Sequence, residues 1–151
     1  MLSMSEEIIL DEPYALVRAD KTVPCVIVQL HAFANREQFK LLMNNGLTYY
    51  QAHSQPTQRW GWIADTRQMS AIPREVQQWL AEDWNARAYQ AGLREMSIVT
   101  STNILGRLAT QQYAEQAVAQ PAQYGLEPVS YESLEQAKQG VSKRCAALNA
   151  K

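Results

Sequence analysis

The apolar positions of this chain change their spacing part-way along. Up to residue 31 they come in short runs. Residues 7–10 and 14–19 read as two brief strands, and Glu12-Pro13 between them favours a turn. Residues 23–31, Val-Pro-Cys-Val-Ile-Val-Gln-Leu-His, form the most β-branched run and read as a third strand. Pro24 is tolerable near a strand start. The connections are too short for crossovers, so an antiparallel meander is expected.

Beyond residue 31 the spacing turns helical. Asn35 and Gln38 have the form of a capping box. Phe39, Leu42, Met43, Gly46, Leu47 and Tyr50 then follow at positions that share one helix face. A polar loop from His53 to Gln58 contains Pro56. The run from Gln58 to Met69, Gln-Arg-Trp-Gly-Trp-Ile-Ala-Asp-Thr-Arg-Gln-Met, reads as a central strand ending on a polar cluster. Alternation puts Trp60, Trp62 and Ala64 on one face and Gly61 and Ile63 on the other. Bulk on one face and glycine on the other predict a helix packed closely against the glycine side.

A second helix is expected from Pro73, a favoured first-turn residue, to Ala91-Gly92. Its apolar stripe is Val76, Trp79, Leu80, Trp84 and Ala88, with Gln77, Gln78, Glu82, Asp83 and Asn85 facing out. Trp79 is expected against the sheet and Trp84 partly exposed. Residues 95–100 read as a strand around Met96, Ile98 and Val99. Ser101, Thr102 and Asn103 offer N-caps for a third helix carrying Leu105, Leu108, Ala109, Tyr113 and Ala117, stopped by Pro121. A short strand around Val129, within Gly125 to Tyr131, leads into a last helix with Leu134, Ala137, Val141, Cys145 and Leu148 on one face. Strand-helix alternation implies right-handed crossovers and a parallel portion of the sheet. The expected fold is α/β, with one mixed sheet packed by four helices in a single domain spanning residues 1–151.

Composition narrows the function classes. A chain of 151 residues buries roughly 68–70% of its unfolded surface and needs no disulfide or metal staple. The net charge of −1 leaves no basic footprint for nucleic acid and no polybasic handle for a membrane surface. Cys25 and Cys145 are far apart and form no C-x-x-C pair, so both read as buried thiols. No stretch approaches the ~20 apolar residues of a membrane span, and the first residues have no signal-like pattern. A cytoplasmic location is the simplest expectation. His31 and His53 lack a third ligand at metal spacing, and no P-loop, G-x-S-x-G or G-x-G-x-x-G occurs, so no metal, cofactor or catalytic motif is identified.

The candidate chemistry lies where the central strand ends. In open α/β sheets, ligands collect outside the carboxyl ends of strands. Asp65, Thr66 and Arg67 are therefore the first candidate residues. Beside them, if the two parallel units are neighbours, stand Ser101, Thr102 and Asn103 at a helix start, where free N–H groups suit a small anion. The structural alternative is that Asp65 caps a turn, Arg67 pairs with it and the hydroxyls cap a helix. Trp79 is a further candidate for partner contact, since aromatic residues are enriched at interaction hot spots.

Several segments carry a family likeness: Trp62-Ile-Ala-Asp65-Thr-Arg67, Trp79, Gly92-Leu-Arg94 leading into Ser97-Ile-Val-Thr100, then Gly125-Leu-Glu127 and Tyr131-Glu-Ser-Leu134-Glu-Gln-Ala137. With the order of elements, they resemble the STAS domain, the fold of anti-sigma-factor antagonists and of sulphate-transporter tails. They resemble more closely the small stand-alone bacterial proteins grouped with that fold and its lipid-transfer relatives. The antagonists carry a phosphorylatable serine in an Asp-Ser-Ser-Gly type motif. Here Asp65 matches the acidic residue and Thr66 the hydroxyl position, while Arg67 and Gln68 replace the rest. Ser70 lies nearby, outside the aligned motif. The resemblance implies a non-enzymatic regulatory or protein-interaction domain, with Thr66 or Ser70 as phosphorylation candidates. The alternative is a carrier or sensor of a small apolar or lipid-like ligand, held in a cavity of several hundred Å³ between the second helix and the sheet. An unidentified protein partner, a small ligand and a homodimer are the partner classes left open. The fold alone licenses no enzymatic activity.

Overall fold

The computed structural model describes residues 6–100, 104–119 and 126–149. Six strands form one sheet in chain order: β1 (Glu6–Glu12), β2 (Ala15–Asp20), β3 (Cys25–Leu30), β4 (Gly61–Asp65), β5 (Glu95–Val99) and β6 (Glu127–Tyr131). The first three pair antiparallel, with a register shift between Ile8 and Leu10 in β1. From β3 to β6 the pairing is parallel. The helices are α1 (Arg36–His53), α2 (residues 74–90), α3 (Ile104–Ala119) and α4 (Leu134–Asn149). This is the mixed α/β sheet that the change of spacing predicts. Pro121 and Gly125 lie outside the described residues.

Every parallel crossover joins neighbouring strands and advances in the same direction. Right-handed crossovers then place α1, α2 and α3 on one face of the sheet. The main core forms there, with Leu42 and Leu47 of α1, Val76 and Leu80 of α2, and Ala109 and Tyr113 of α3 meeting Val26, Val28, Trp62 and Ile98. The opposite face holds a smaller core. Cys25, Ile27, Ile63 and Val99 pack there against Ala137 and Val141 of α4. Such an order contains no reversal, so the sheet has no topological switch point to open a ligand crevice.

Local chemistry explains the boundaries. The capping box of α1 is complete: the Gln38 N–H donates to Asn35 Oδ1 at 2.9 Å, and the Asn35 N–H to Gln38 Oε1 at 3.0 Å. Phe39, Leu42, Met43, Gly46, Leu47 and Tyr50 are all buried, as their spacing predicts. On β4 the alternation also holds, with Trp60, Trp62 and Ala64 on the three-helix side and Ile63 on the α4 side. A Cβ built on Gly61 would stand 2.3 Å from Val141 Cγ1, so α4 does pack closely against the glycine. Gly92, with φ of 113°, takes the left-handed conformation that ends α2.

The second helix departs from expectation. It is α-helical over Arg74–Trp79, makes one π-helical turn over Leu80–Trp84, and is α-helical again over Asn85–Gln90. In a regular α-helix, steps of four residues drift around the axis by about 40° each. The wider π-turn takes up that drift, so Val76, Leu80, Trp84 and Ala88 all stay on the core side. Trp84 therefore departs from its expected place. Trp84 is fully buried and its Nε1–H donates to the Met43 carbonyl at 3.1 Å. Trp79 is half-buried, flanked by the Lys40 ammonium at 5.5 Å and the Arg87 guanidinium at 5.9 Å from its ring. Gln77 and Asn85, expected outside, are also buried, because each finds a hydrogen-bonding partner on α3. Leu108 of α3, expected on the core face, is 50% exposed. The side chains of Leu105 and Ala117 lie outside the described ones.

Candidate functional site

Asp65 and Thr66 sit where β4 ends, and both are buried. Arg67 curls back over Asp65 as a two-pronged pair. Its Nε donates to Oδ1 at 2.9 Å and its Nη2 to Oδ2 at 2.6 Å. The hydrogen bond to Asp65 raises the arginine pKa, opposed by partial burial. This planar fork matches the carboxylate on both oxygens, the arrangement that stabilises a buried acid best. Thr66 is engaged as well. Its hydroxyl donates to the Val99 carbonyl at 2.6 Å and its N–H to the same oxygen at 3.1 Å. The Thr66 hydroxyl thus fastens the end of β4 to the end of β5.

Ser70 is half-buried in the loop leading to α2. The pairing of β4 with β5 makes the two parallel units neighbours, but Ser101, Thr102 and Asn103 lie outside the described residues. Trp79 is half-buried on α2, packed against the main core and flanked by Lys40 of α1 and by Arg87. Among the described candidates, Asp65 and Arg67 are directly hydrogen-bonded to each other. Asp65, Thr66 and Arg67 form a tight unit, with Ser70 beside it.

Next to that unit, between the sheet and α1, α2 and α3, lies an apolar cavity of about 50 Å³. Phe39, Met43, Met69, Leu80, Met96 and Ile98 line it, with Thr66 at its edge. The place agrees with the expected ligand pocket under α2, but the size does not. Several hundred Å³ were expected, and packing of the three helices onto one face leaves only room for roughly three to four water-sized spheres. Three of its walls are methionines. Their unbranched thioethers adapt to an irregular space better than branched side chains do. Reasoning from sequence missed these residues, because a methionine at an apolar position carries no sign of whether it fills the core or borders a void.

Comparisons with family models, with curated proteins and with solved structures return no match.

A second polar cluster lies at the amino end of β5, beneath α4. The buried Glu95 accepts from Ser97 Oγ at 2.7 Å and from Tyr131 Oη at 3.0 Å, with Arg144 at 3.8 Å. Desolvation and the Glu95 charge push the Tyr131 phenol up to about 12. The adjoining void is about 10 Å³, the space of a single water. Both cysteines are free thiols. Cys25 is buried as expected, whereas Cys145 is only half-buried on the flank of α4. Among the described residues, no group of three or more His, Cys, Asp or Glu is placed to hold a metal ion. No helix among them is long and apolar enough to cross a membrane.

Proposed function

We propose that this chain is a non-enzymatic, STAS-like binding domain that senses or carries a small apolar group between α2 and the sheet. The observation that carries this reading is the methionine-walled cavity beside Asp65 and Thr66. Ordinary cores close such voids, because a methyl-sized gap costs roughly 1 kcal/mol. A cavity retained at the carboxyl edge of three parallel strands supports a ligand seat there. The test is mass spectrometry of protein purified from its own host, under native and then denaturing conditions. A non-covalent adduct lost on denaturation is the expected result. The bare polypeptide mass in both conditions would remove the reading.

A regulatory protein-interaction module is the second reading, supported by exposed apolar residues at the same edge. Phe33 is 56% exposed in the loop after β3, and Ile104 and Leu108 are 80% and 50% exposed in the first turns of α3. Phe33→Asp with Leu108→Asp should then abolish capture of a specific partner while leaving the fold intact. Capture unchanged by the double substitution would count against it.

A further inference from the structure

The apolar cavity does not stand alone. Directly beside it, between the start of α2 and α3, is a polar cleft of about 450 Å³ lined by Ile72, Arg74, Gln77, Gln112 and Glu115. Ile72 borders both spaces. The partition between them includes an amide pair: Gln77 Nε2 donates to Gln112 Oε1 at 2.9 Å and to the Ile72 carbonyl at 3.3 Å. On each helix the neighbours of these glutamines, Leu80 on α2 and Thr110 and Tyr113 on α3, line the cavity. Gln77 is thus a buried polar side chain that lines the cleft, one helical turn from Leu80, which lines the cavity.

The charges of the cleft specify a ligand. Arg74 brings a cation from α2 and Glu115 an anion from α3, and neither makes an ion pair among the described residues. An exposed guanidinium suits a carboxylate through its planar fork. An exposed carboxylate suits an ammonium group. Two primary amides supply both donors and acceptors between them. One small molecule carries all the complementary groups together with an apolar branch: a free aliphatic α-amino acid.

We infer that the cleft and the cavity form one binding site for such an amino acid. Its carboxylate pairs with Arg74 and its ammonium with Glu115. Its side chain passes the Gln77–Gln112 partition, breaking that one hydrogen bond, and enters the space walled by Met43, Met69 and Met96. The freed amides turn to the ligand's polar atoms. The cavity of about 50 Å³ is smaller than a branched four-carbon side chain, and its unbranched methionine walls must give way to admit one, so L-leucine is the probe of that adaptation. The inference rests on the apolar-ligand reading above and names the ligand's chemical class.

The test uses the whole chain and four probes: L-leucine, 4-methylpentanoate, 3-methylbutylamine and xenon under pressure. Thermal melting and side-chain amide and methyl NMR signals are the readouts. L-leucine is expected to raise the melting temperature and to shift the Gln77 and Gln112 amide signals. The acid and the amine, each lacking one charge, should bind at least about tenfold more weakly, as loss of one charge-assisted contact implies. Arg74→Gln and Glu115→Gln alter exposed positions, so both variants should fold, and each should weaken leucine by a similar factor. Leucine binding unaffected by both variants overturns the inference. Xenon entering beside the methionine methyls with no response to leucine also overturns it, while leaving the apolar-ligand reading in place. Exclusion of both xenon and leucine removes the two readings together.

Discussion

Gly61 of β4 lies so close to Val141 of α4 that a Cβ at position 61 would stand 2.3 Å from Val141 Cγ1. Neither the central strand nor the helix can easily retreat, since β4 is held on both edges by β3 and β5. Gly61→Ala should therefore destabilise the protein by ~1–3 kcal/mol, in the range of overpacked cores. Val141→Ala should lose apolar burial when made alone, yet recover part of the loss when combined with Gly61→Ala. Urea unfolding of the four proteins in this cycle checks it. Additive effects would show that the contact does not couple the two residues.

The Asp65–Arg67 pair joins a buried acid to a half-exposed base, with side-chain exposures of 1% and 45%. Removing the base strands a carboxylate in the interior. Arg67→Ala is expected to lower stability by ~1–3 kcal/mol, discounted for the solvent that already reaches the arginine. Asp65→Asn with Arg67→Ala together should lose less than Arg67→Ala alone, because no buried charge is then left without a partner. Chemical denaturation decides this, and a double variant weaker than Arg67→Ala would refute the account.

Thr66 separates a structural hydroxyl from a switch. Thr66→Val keeps the shape and leaves the Val99 carbonyl bonded to the residue 66 N–H, so a loss of only ~0.5–1.5 kcal/mol is expected. Thr66→Glu forces a second carboxylate into the buried end of β4 beside Asp65 and should cost more than ~3 kcal/mol. Melting curves measure both. A Thr66→Glu protein as stable as the parent would show that added negative charge is tolerated at Thr66.

Alkaline pH should unfold this protein early. Burial, chiefly, pushes the Cys25 thiol from 9.0 up to about 12 and the Cys145 thiol from 9.0 to about 11. The Tyr50 phenol rises from 10.0 to about 12, again chiefly through burial. Each group favours its neutral form in the folded state. Their contribution to stability is thus whole below the unfolded pKa values and lost as pH rises through the folded ones. The urea midpoint should hold to about pH 9 and then fall toward pH 12. In the native protein, a thiol reagent at mildly alkaline pH should label Cys145 before Cys25. A midpoint unchanged through that window would contradict this.

The comparison of sequence with structure turns on which periods survive tertiary packing. The β4 reading succeeded because strand alternation is fixed by the pleat. Trp62 and Gly61 could only point to opposite faces. The α2 reading failed at Trp84 because one π-turn changes the helical period, which no residue in Leu80–Trp84 announces, and at Gln77 and Asn85 because their partners stand on α3, far along the chain. The end of β4 was legible as a polar cluster, but the partners that occupy Thr66 belong to β5, thirty-three residues away. The place of the cavity under α2 was legible, but its small size, its methionine walls and the neighbouring cleft were not. Cavity and cleft exist only where α1, α2 and α3 meet, and their walls are residues that a linear pattern reads as plain core or plain surface.

The one-sided placement of helices also sets an order of assembly. Each strand lies beside the one made just before it, so a chain emerging from the ribosome can add elements to a growing edge without waiting for distant segments. The exception is the smaller core. Among the described residues, α4 is the helix that covers Cys25, Ile27, Ile63 and Val99, and α4 follows every strand. During synthesis this apolar strip stays open to water and to chaperones until α4 arrives, which makes the closing helix the step at which a nascent chain either becomes native or is caught by another.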